Sequence, residues 1–294
     1  MASMREIKSR ITATKKTAQI TKAMHMVSAS KLKKAEGVIK SYRPLVYKLR
    51  EMIDNLLTSD DALNHPMLVE REKQVTCYVL VTSDRGLAGP YNSSVFKAFT
   101  AFVDENHKSN DEFIVATIGF KAYSFARRMN YKMLNEDIIN VRDDIQFIDF
   151  KEVIDLFTKQ FLSGNIDSIV VFYNKFINIM TQTVEHGQIL PITNGHKKEE
   201  KTEDEKELKL IYNFEPNPQV IIDHLLPMYV ENTLYGMILE AKASEHASRM
   251  TAMKSATDNA EDVIHTLQLH YNRARQAAIT IELTDIIGGA NAVN

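Results

Sequence analysis

Apolar and small residues recur at alternating steps of four and three through residues 7–56. The positions with this spacing are Ile7, Ile11, Thr14, Ala18, Thr21, His25, Ser28, Leu32, Ala35, Ile39, Tyr42, Val46, Leu49, Ile53 and Leu56. Such a heptad repeat is typical of a helix that packs along a second helix. At about 1.5 Å per residue, a helix over residues 4–57 is roughly 80 Å long, which is more typical of a shaft than of a pocket wall.

A second long helix is predicted over residues 218–288. Asn217 and Pro218 fit the start of a helix, and Gly288 with Gly289 is expected to end it. Small residues are frequent from Ala241 to Ala260 and allow a close approach of another helix. The four-three step then returns at Val263, Leu267, His270, Ala274, Ala277 and Ile281. The two terminal helices are therefore predicted to form a long antiparallel coiled coil.

Residues 73–194 alternate short apolar runs with amphipathic segments, which is typical of an α/β domain. The predicted elements are strands at 75–81, 112–118, 133–139 and 169–172, helices at 93–105, 120–129 and 149–161, and strand segments at 177–183 and 185–190. Right-handed crossovers between such elements predict a central Rossmann-like α/β domain with a mostly parallel sheet. The fold class is therefore α/β, with this domain between the two coiled-coil helices.

The chain is thus expected to have four parts: a coiled-coil helix at 1–57, the α/β domain at 73–194, a charged linker and strand at 195–215, and a coiled-coil helix at 218–288. Residues 195–209 carry almost no apolar side chain and are predicted to be a solvated linker. Cys77 is the only cysteine and lies in an apolar run, so we expect a buried structural thiol. No apolar run reaches the roughly 18 residues of a membrane span, and a cytoplasmic protein is expected.

The net charge of −2 hides an asymmetry. Residues 1–50 hold thirteen Lys and Arg against only Glu6 and Glu36, so the first helix is expected to meet an acidic surface. Nucleic acid is a possible partner for such a helix. Against it, basic side chains occupy several helical faces, and no aromatic residue alternates with them for base stacking. These basic positions include Lys8, Lys15, Lys22, Lys33 and Lys40.

The loop of residues 83–89 lies between a predicted strand and a predicted helix, where a dinucleotide-binding domain holds phosphate. It contains Gly86 and Gly89 but no G-x-G-x-x-G, and the chain has no G-x-x-x-x-G-K-[ST]. The histidines have no metal-ligand spacing. We therefore expect no catalytic residue, no cofactor and no metal.

Several stretches carry a specific resemblance: Met4–Ile11, Gln19–Met24, Met26–Lys31, Thr82–Gly89, Ala247–Ala260 and Ala274–Ala290. In sequence and in order they resemble the gamma subunits of F-type ATP synthases. The resemblance implies a rotor shaft inside a sleeve of three alpha and three beta subunits, beside an epsilon subunit and the membrane c-ring. It also implies a peripheral position at the cytoplasmic face of a bacterial cell membrane, with the role of coupling ion flow to ATP synthesis or hydrolysis.

The same resemblance implies roles for individual residues. Arg275 and Gln276 would engage a carboxylate-bearing loop of a catalytic subunit, and Arg249 and Met24 would lie near its lever. Lys31 and Lys33 are further expected contacts with the alpha/beta sleeve. Tyr212 and Glu215 are expected to meet the membrane ring.

Two other functions stay open from the residues alone. One is a small-molecule-binding α/β protein whose helices serve as oligomerisation arms. The other is a basic coiled-coil nucleic-acid binder. Stabilisation by ATP or NAD favours the former, and salt-dependent retention on DNA favours the latter.

Overall fold

The structure is a computed structural model that describes residues 3–56, 65–71, 75–144, 146–192 and 218–293. In chain order its helices and strands are α1 (Met4–Leu56), β1 (Thr76–Val81), α2 (Tyr91–Asn106), β2 (Phe113–Ile118), α3 (Phe120–Arg128), α4 (Ile148–Leu162), β3 (Ser168–Phe176), β4 (Gln182–Leu190) and α5 (Pro218–Val293). The chain divides into two compact units. The helical unit comprises Met1–Ser30 with Arg249–Asn294, and the α/β unit comprises Lys31–Ser248. The predicted linker at 195–209 lies outside the described residues.

In the helical unit, the predicted seam of α1 is confirmed. Its side chains are buried at Ile7, Ala18, Thr21 and Ser28 and half-buried at Ile11, Thr14 and His25. The exposed residues between them are mostly charged or hydroxylated. The four-three step therefore marks the stripe that α1 buries, as expected for a coiled-coil helix.

The predicted seam of α5 is wrong by one position over most of its length. Val263, His270, Ala277 and Ile281 are exposed. The side chains that are buried or half-buried are Met253, Thr257, Ala260, Ile264, Leu267, Tyr271, Ala274 and Ala278. This series keeps the four-three step. It continues the buried positions of the preceding small-residue segment, so that segment determines which residues of α5 form the seam.

In the α/β unit, α1 and α5 run antiparallel, as predicted. Arg43 Nε and Nη2 lie 3.1 and 2.9 Å from Glu240 Oε1, while Arg50 Nη1 lies 3.3 Å from the hydroxyl of Tyr229. As residue numbers rise along α1, those of its partners fall along α5. Arg43 Nη2 also donates to the carbonyl of Phe176 at the end of β3, which joins the helix pair to the sheet.

The sheet has the order β2-β1-β3-β4. β1 pairs in parallel with β2 and with β3, and β3 pairs antiparallel with β4. The predicted mostly parallel sheet is thus confirmed. One face is covered by α2 and α3, whose Val95, Phe99 and Phe125 pack on Tyr78 and Phe172.

Cys77 is fully buried in β1. Burial raises the pKa of its thiol to about 12, which a hydrogen bond from the Ala116 backbone only partly offsets. A thiol with such a pKa forms almost no thiolate at neutral pH, so the expected structural role of Cys77 is confirmed.

The strand predicted at 133–139 is wrong. Only two isolated bridges form there, Val115 with Met133 and Ile118 with Ile139. Between them, Asn135 Oδ1 accepts from the Thr117 backbone N–H at 2.8 Å and Asn135 Nδ2 donates to the Thr117 carbonyl at 3.1 Å. A side-chain amide thus satisfies the edge of β2 in place of a continuous ladder.

The strand predicted at 177–183 is also wrong, because most of this segment is the turn between β3 and β4. Asn178 Oδ1 accepts from the backbone N–H groups of Met180 and Thr181 at 2.9 and 2.8 Å, which closes the turn. β4 then begins at Gln182.

The predicted end of the last helix at Gly288 and Gly289 is wrong as well, since α5 continues to Val293. Gly288 does not adopt the left-handed conformation that ends many helices, and the space around its Cα is open. The residues that follow are mainly small and compatible with a helix, so two glycines do not suffice to stop it.

Candidate functional site

The last turns of α5 carry large apolar side chains in solvent. They are Ile279, Ile281, Leu283, Ile286 and Ile287, and Ile286 keeps 62% of its surface exposed. At about 100° per residue, Ile279, Leu283, Ile286 and Ile287 share one stripe of the helix, whereas Ile281 lies on the opposite side, so a helix packed on the stripe would leave Ile281 uncovered. Large apolar side chains left in solvent in this way are typical of a site that another protein covers. We call residues 279–287 the apolar tip.

Threonines pair the two helices of the helical unit in its interior. Thr21 Oγ1 and Thr257 Oγ1 are 2.7 Å apart and both side chains are buried. Each hydroxyl also contacts a carbonyl of its own helix, Ala18 O at 3.1 Å and Met253 O at 2.9 Å. This small polar contact fits a close approach of the helices, as the small residues of α5 predicted.

A cluster of charges joins both helices to one loop of the α/β unit. The carboxylate of Asp143 receives Lys31 Nζ of α1 at 2.6 Å and Lys242 Nζ of α5 at 3.2 Å. Lys242 Nζ also lies 2.9 Å from the carbonyl of Val141 and 3.0 Å from Glu245 Oε2. We call Lys31, Asp143, Lys242 and Glu245 the charge cluster.

The α5 side of the charge cluster is deeply buried. The side chains of Lys242, Glu245 and His246 are only 6%, 4% and 3% exposed, and His246 Nε2 lies 3.5 Å from Asp143 Oδ1. Partial burial raises the pKa of Asp143, but hydrogen bonds and charges of Lys31 and Lys242 outweigh it and lower the pKa to about 2. Asp143 is therefore ionised at neutral pH and balances the two lysines.

The carboxyl end of the parallel strands is occupied by the protein's own side chains. Asp84 Oδ1 accepts from the N–H of Phe120 at 3.0 Å, and Thr82 Oγ1 accepts from the N–H of Ala122 at 2.8 Å. The N–H of Lys121 donates to the carbonyl of Ser83 at 3.1 Å. The first turn of α3 thus has its N–H groups satisfied within the chain, and Asp84 adds a negative charge that would repel a phosphate.

The loop at 83–89 is fixed internally as well. Ser83 N donates to Asn92 Oδ1 at 3.0 Å, and Ser83 Oγ donates to Arg85 O at 2.6 Å. Gly119, on the neighbouring strand end, has φ +97°, and a Cβ there would lie 2.3 Å from the carbonyl oxygen of Thr82. Any side chain at position 119 would force this edge open, so close packing against Thr82 accounts for the glycine.

In the described part of the chain, no three His, Cys, Asp or Glu side chains gather in a way that could hold a metal ion. None of the helices described there combines the length and the apolar character that crossing a bilayer requires.

Comparison with known proteins decides the family. A protein family described as ATP synthase matches residues 3–293. The ATP synthase gamma chain of Macrococcus caseolyticus (strain JCSC5402) is 45% identical over 295 residues, a match that covers 100% of both chains. This chain belongs to the family of ATP synthase gamma chains.

Solved structures of similar fold come from the same family of machines. A chain of the central stalk and c-ring structure of Tetrahymena thermophila mitochondrial ATP synthase aligns with a TM-score of 0.61 at 24% identity, covering 81% of this chain and 99% of that one. A chain of the Euglena gracilis mitochondrial ATP synthase in rotational state 3 aligns with a TM-score of 0.64 at 16% identity, covering 99% and 94%. At these identities the likeness concerns the fold.

Within this gamma-chain fold, the residues expected to contact the sleeve fall into two groups. Arg275, Gln276 and Lys33 are exposed, whereas Met24 and Arg249 are half-buried. For Arg275 and Gln276, no side-chain hydrogen bond or ion pair occurs within the described ranges, so their polar groups face solvent. The contacts of all five residues with a partner stay predictions.

Lys31 differs from the others because its ammonium is already engaged by Asp143. A contact of Lys31 with the sleeve stays a prediction, and it would have to share this ion pair. Tyr212 and Glu215, the expected contacts with the membrane ring, lie outside the described residues.

Sequence reasoning missed the charge cluster. A signal was present, because Lys242, Glu245 and His246 interrupt a run of Ala and Ser that is otherwise typical of a buried helix face. Charged residues in such a run need partners, and the spacing of three between Lys242 and Glu245 allows one of them. The other partner, Asp143, comes from a distant loop and has no local signal.

Proposed function

We propose that this gamma chain is the central rotor shaft of an F-type ATP synthase, which couples ion flow through the membrane sector to ATP synthesis or hydrolysis. The apolar tip is the observation that carries this function. Ile279, Leu283, Ile286 and Ile287 form one exposed stripe and Ile281 lies on the opposite side of the same helix, so a partner that buries all five must contact both sides. A sleeve of subunits meets this requirement, whereas a flat partner would cover only the stripe.

The charges of α1 support the same arrangement. Lys8, Lys15, Lys22, Lys33 and Lys40 are all exposed and, contrary to expectation, follow one stripe of the helix, but Arg10 and Lys16 are also exposed and lie on other faces. A shaft that rotates past several catalytic subunits presents each of its faces to each subunit in turn. It therefore needs polar side chains on several faces. Each angle then favours one conformation of each neighbour, which is how a rotating asymmetric part selects among their states.

The proposed partners are three alpha and three beta subunits, an epsilon subunit and the membrane c-ring. The chain would lie at the cytoplasmic face of a bacterial cell membrane, as a peripheral part of the complex. We infer that it is not catalytic by itself, because the described strand ends hold no cluster of a nucleophile, a base and a free anion site.

Purification followed by observation of rotation tests this function. The tagged chain is isolated from its native cell, and the complex is fixed through its alpha and beta subunits with a bead attached to the tagged chain. The proposal predicts co-purification of the named subunits and bead rotation that requires ATP. Copurification without rotation would contradict the shaft role, even though it would support membership of the complex.

The same preparation addresses the two other functions. Stabilisation of the isolated chain by ATP or NAD in a thermal shift would favour a small-molecule-binding protein. Retention on DNA that falls steeply with salt would favour a nucleic-acid binder. We expect neither, since Asp84 disfavours phosphate at the strand ends and the exposed basic side chains of α1 are not confined to one stripe, as Arg10 and Lys16 show.

A further inference from the structure

The charge cluster lies at a special place along both long helices. Lys31 is the first residue of α1 in the α/β unit, and Lys242 and Glu245 lie in the last two turns of α5 in the same unit, which ends at Ser248. The loop residues Val141 and Asp143 contact these helices just where both leave the α/β unit. Both α1 and α5 are continuous helices through this point.

We propose that Asp143 is the joint through which the α/β unit passes torque to both helices of the shaft. This inference rests on the proposed rotor function. A force that turns the α/β unit must reach α1 and α5 together. Arg43 ties both helices to the sheet through Glu240 and the Phe176 carbonyl, and Asp143 does the same at the last turns of the helices in this unit. Asp143 reaches both, with Lys31 on one side and Lys242 on the other.

The contacts on α5 suit this task because they are short and withdrawn from water, whereas the pair of Lys31 with Asp143 is 2.6 Å long with side chains 41% and 45% exposed. Lys242 is almost fully buried, and its three polar contacts, with Val141 O, Asp143 and Glu245, satisfy all three of its N–H donors. A buried ammonium with every donor satisfied holds its position strictly, since any displacement leaves a charge without a partner. Lys242 therefore fixes the loop onto α5, and Lys31 fixes the same loop onto α1.

A second contact between this end of α5 and the sheet supports the location. Ser248 Oγ donates to the carbonyl of Ala88 at 2.6 Å, and both side chains are buried. The last turns of α5 in the α/β unit are thus held by two loops, that of residues 141–144 and that of residues 83–89. The loop with Asp143 also contacts α1, through the ion pair with Lys31.

Torsional stiffness of the rotor tests the joint. Lys108 is exposed in the α/β unit, and Lys108→Cys provides a bead attachment because the native thiol of Cys77 is buried. The angular variance of the bead is measured in assembled enzyme fixed through its alpha and beta subunits, while rotation pauses to wait for ATP. Variants are compared in this background.

Asp143→Asn is expected to raise the angular variance about twofold, because one of the two contacts between the loop and Lys242 remains, that of Val141 O. Asp143→Glu, which keeps the carboxylate, should stay near the parent. The matched control is Glu185→Gln, which removes an exposed ion pair with Lys175 within the sheet and should also leave the variance unchanged. ATP hydrolysis should be similar in all four proteins.

An unchanged variance in Asp143→Asn would overturn the joint. If this variant does not assemble, Lys31→Met removes the α1 half of the contact at a half-exposed position, and its unchanged variance would overturn the joint equally. Absence of rotation in the parent would overturn the rotor function and the joint with it. Rotation in the parent with equal stiffness in the variants would overturn the joint alone, so the two failures are distinguishable.

Discussion

The hydroxyl oxygens of Thr21 and Thr257 lie 2.7 Å apart in the buried seam of the helical unit. Because the two residues are on different helices and far apart in sequence, their contact fixes the register of α1 against α5. A slip of either helix by one residue would separate the hydroxyls and leave one of them buried without its partner.

Thr21→Val tests the strength of this contact. The substitution keeps the volume but removes one hydroxyl, so we expect local stability of the seam to fall by about 1 kcal/mol. Thr21→Val combined with Thr257→Val should cost less than the two single changes added, because each single change already removes the contact between the two hydroxyls and the double change removes it only once. Hydrogen exchange of residues 14–28 measures the effect. Thr17→Val, at an exposed position whose hydroxyl bonds only its own helix, is the control.

Arg275→Ala combined with Gln276→Ala is expected to affect coupling and to leave folding intact. Both side chains are exposed, and a guanidinium can hold a partner's carboxylate by two parallel hydrogen bonds. The lost contact is of about 1.5–3 kcal/mol, enough to impair one step of rotation. ATP synthesis and ATP-driven pumping are measured in membranes with equal amounts of assembled enzyme. Arg273→Ala, exposed and on the side of the helix away from Arg275, is the control, and rates equal to the parent for the double variant would exclude both residues.

Hydrogen exchange should differ between the free and the assembled chain. The apolar tip has no cover in the chain alone, and the seam of the helical unit contains many small or hydroxylated residues, so these helices should open readily. We expect fast exchange at residues 10–30 and 265–290 in the free chain and slow exchange after assembly. The core strand β1 provides an internal reference, since it should be protected in both states.

The low pKa of Asp143 predicts a pH dependence of stability. Its pKa falls from 3.8 to about 2 on folding, so its ionised form stabilises the folded chain fully above the higher value. This contribution should disappear as the pH falls from about 4 to about 2. The difference in unfolding midpoint between the parent and Asp143→Asn, followed by circular dichroism, should shrink over the same range. A difference that stays constant to pH 2 would contradict the ion pairs.

Replacement of residues 195–209 by a Gly/Ser linker of sufficient length tests the predicted role of that tract. If it is only a solvated connection, coupled ATP synthesis should remain close to that of the parent. A variant that assembles normally but loses coupling would show that the charged residues bind a partner or regulate the enzyme. A linker of equal length that keeps the charges in scrambled order distinguishes charge from sequence.

The long helices and the core strands could be predicted because their apolar spacing is visible within each short segment of the sequence. The seam of α1 and the parallel core strands follow directly from apolar spacing. The errors have a common cause, in that a side chain or a neighbour overrides the local signal. Asn135 and Asn178 replace strand hydrogen bonds with their own amides, and the packing of small residues moves the α5 seam from Val263 to Ile264.

The candidate sites divide in the same way. Arg275 and Gln276 were found through their resemblance to a family, and the structure adds that they are exposed. Asp143 was not predicted, because its partners Lys31 and Lys242 each lie roughly a hundred positions away in the sequence. No rule of local spacing relates residues that far apart. Contacts between segments that are distant in sequence can be identified only once the fold is known.

Asp84 has a consequence for how the molecule responds to its surroundings. A domain with the architecture of a nucleotide binder has closed its own strand ends with a carboxylate and a glycine, at Asp84 and Gly119. We therefore expect that changes in the ATP or NAD concentration have no direct effect at this edge of the sheet. If the chain turns as the proposed rotor, its position would then depend on mechanical force and not on the concentration of the product that the complex makes.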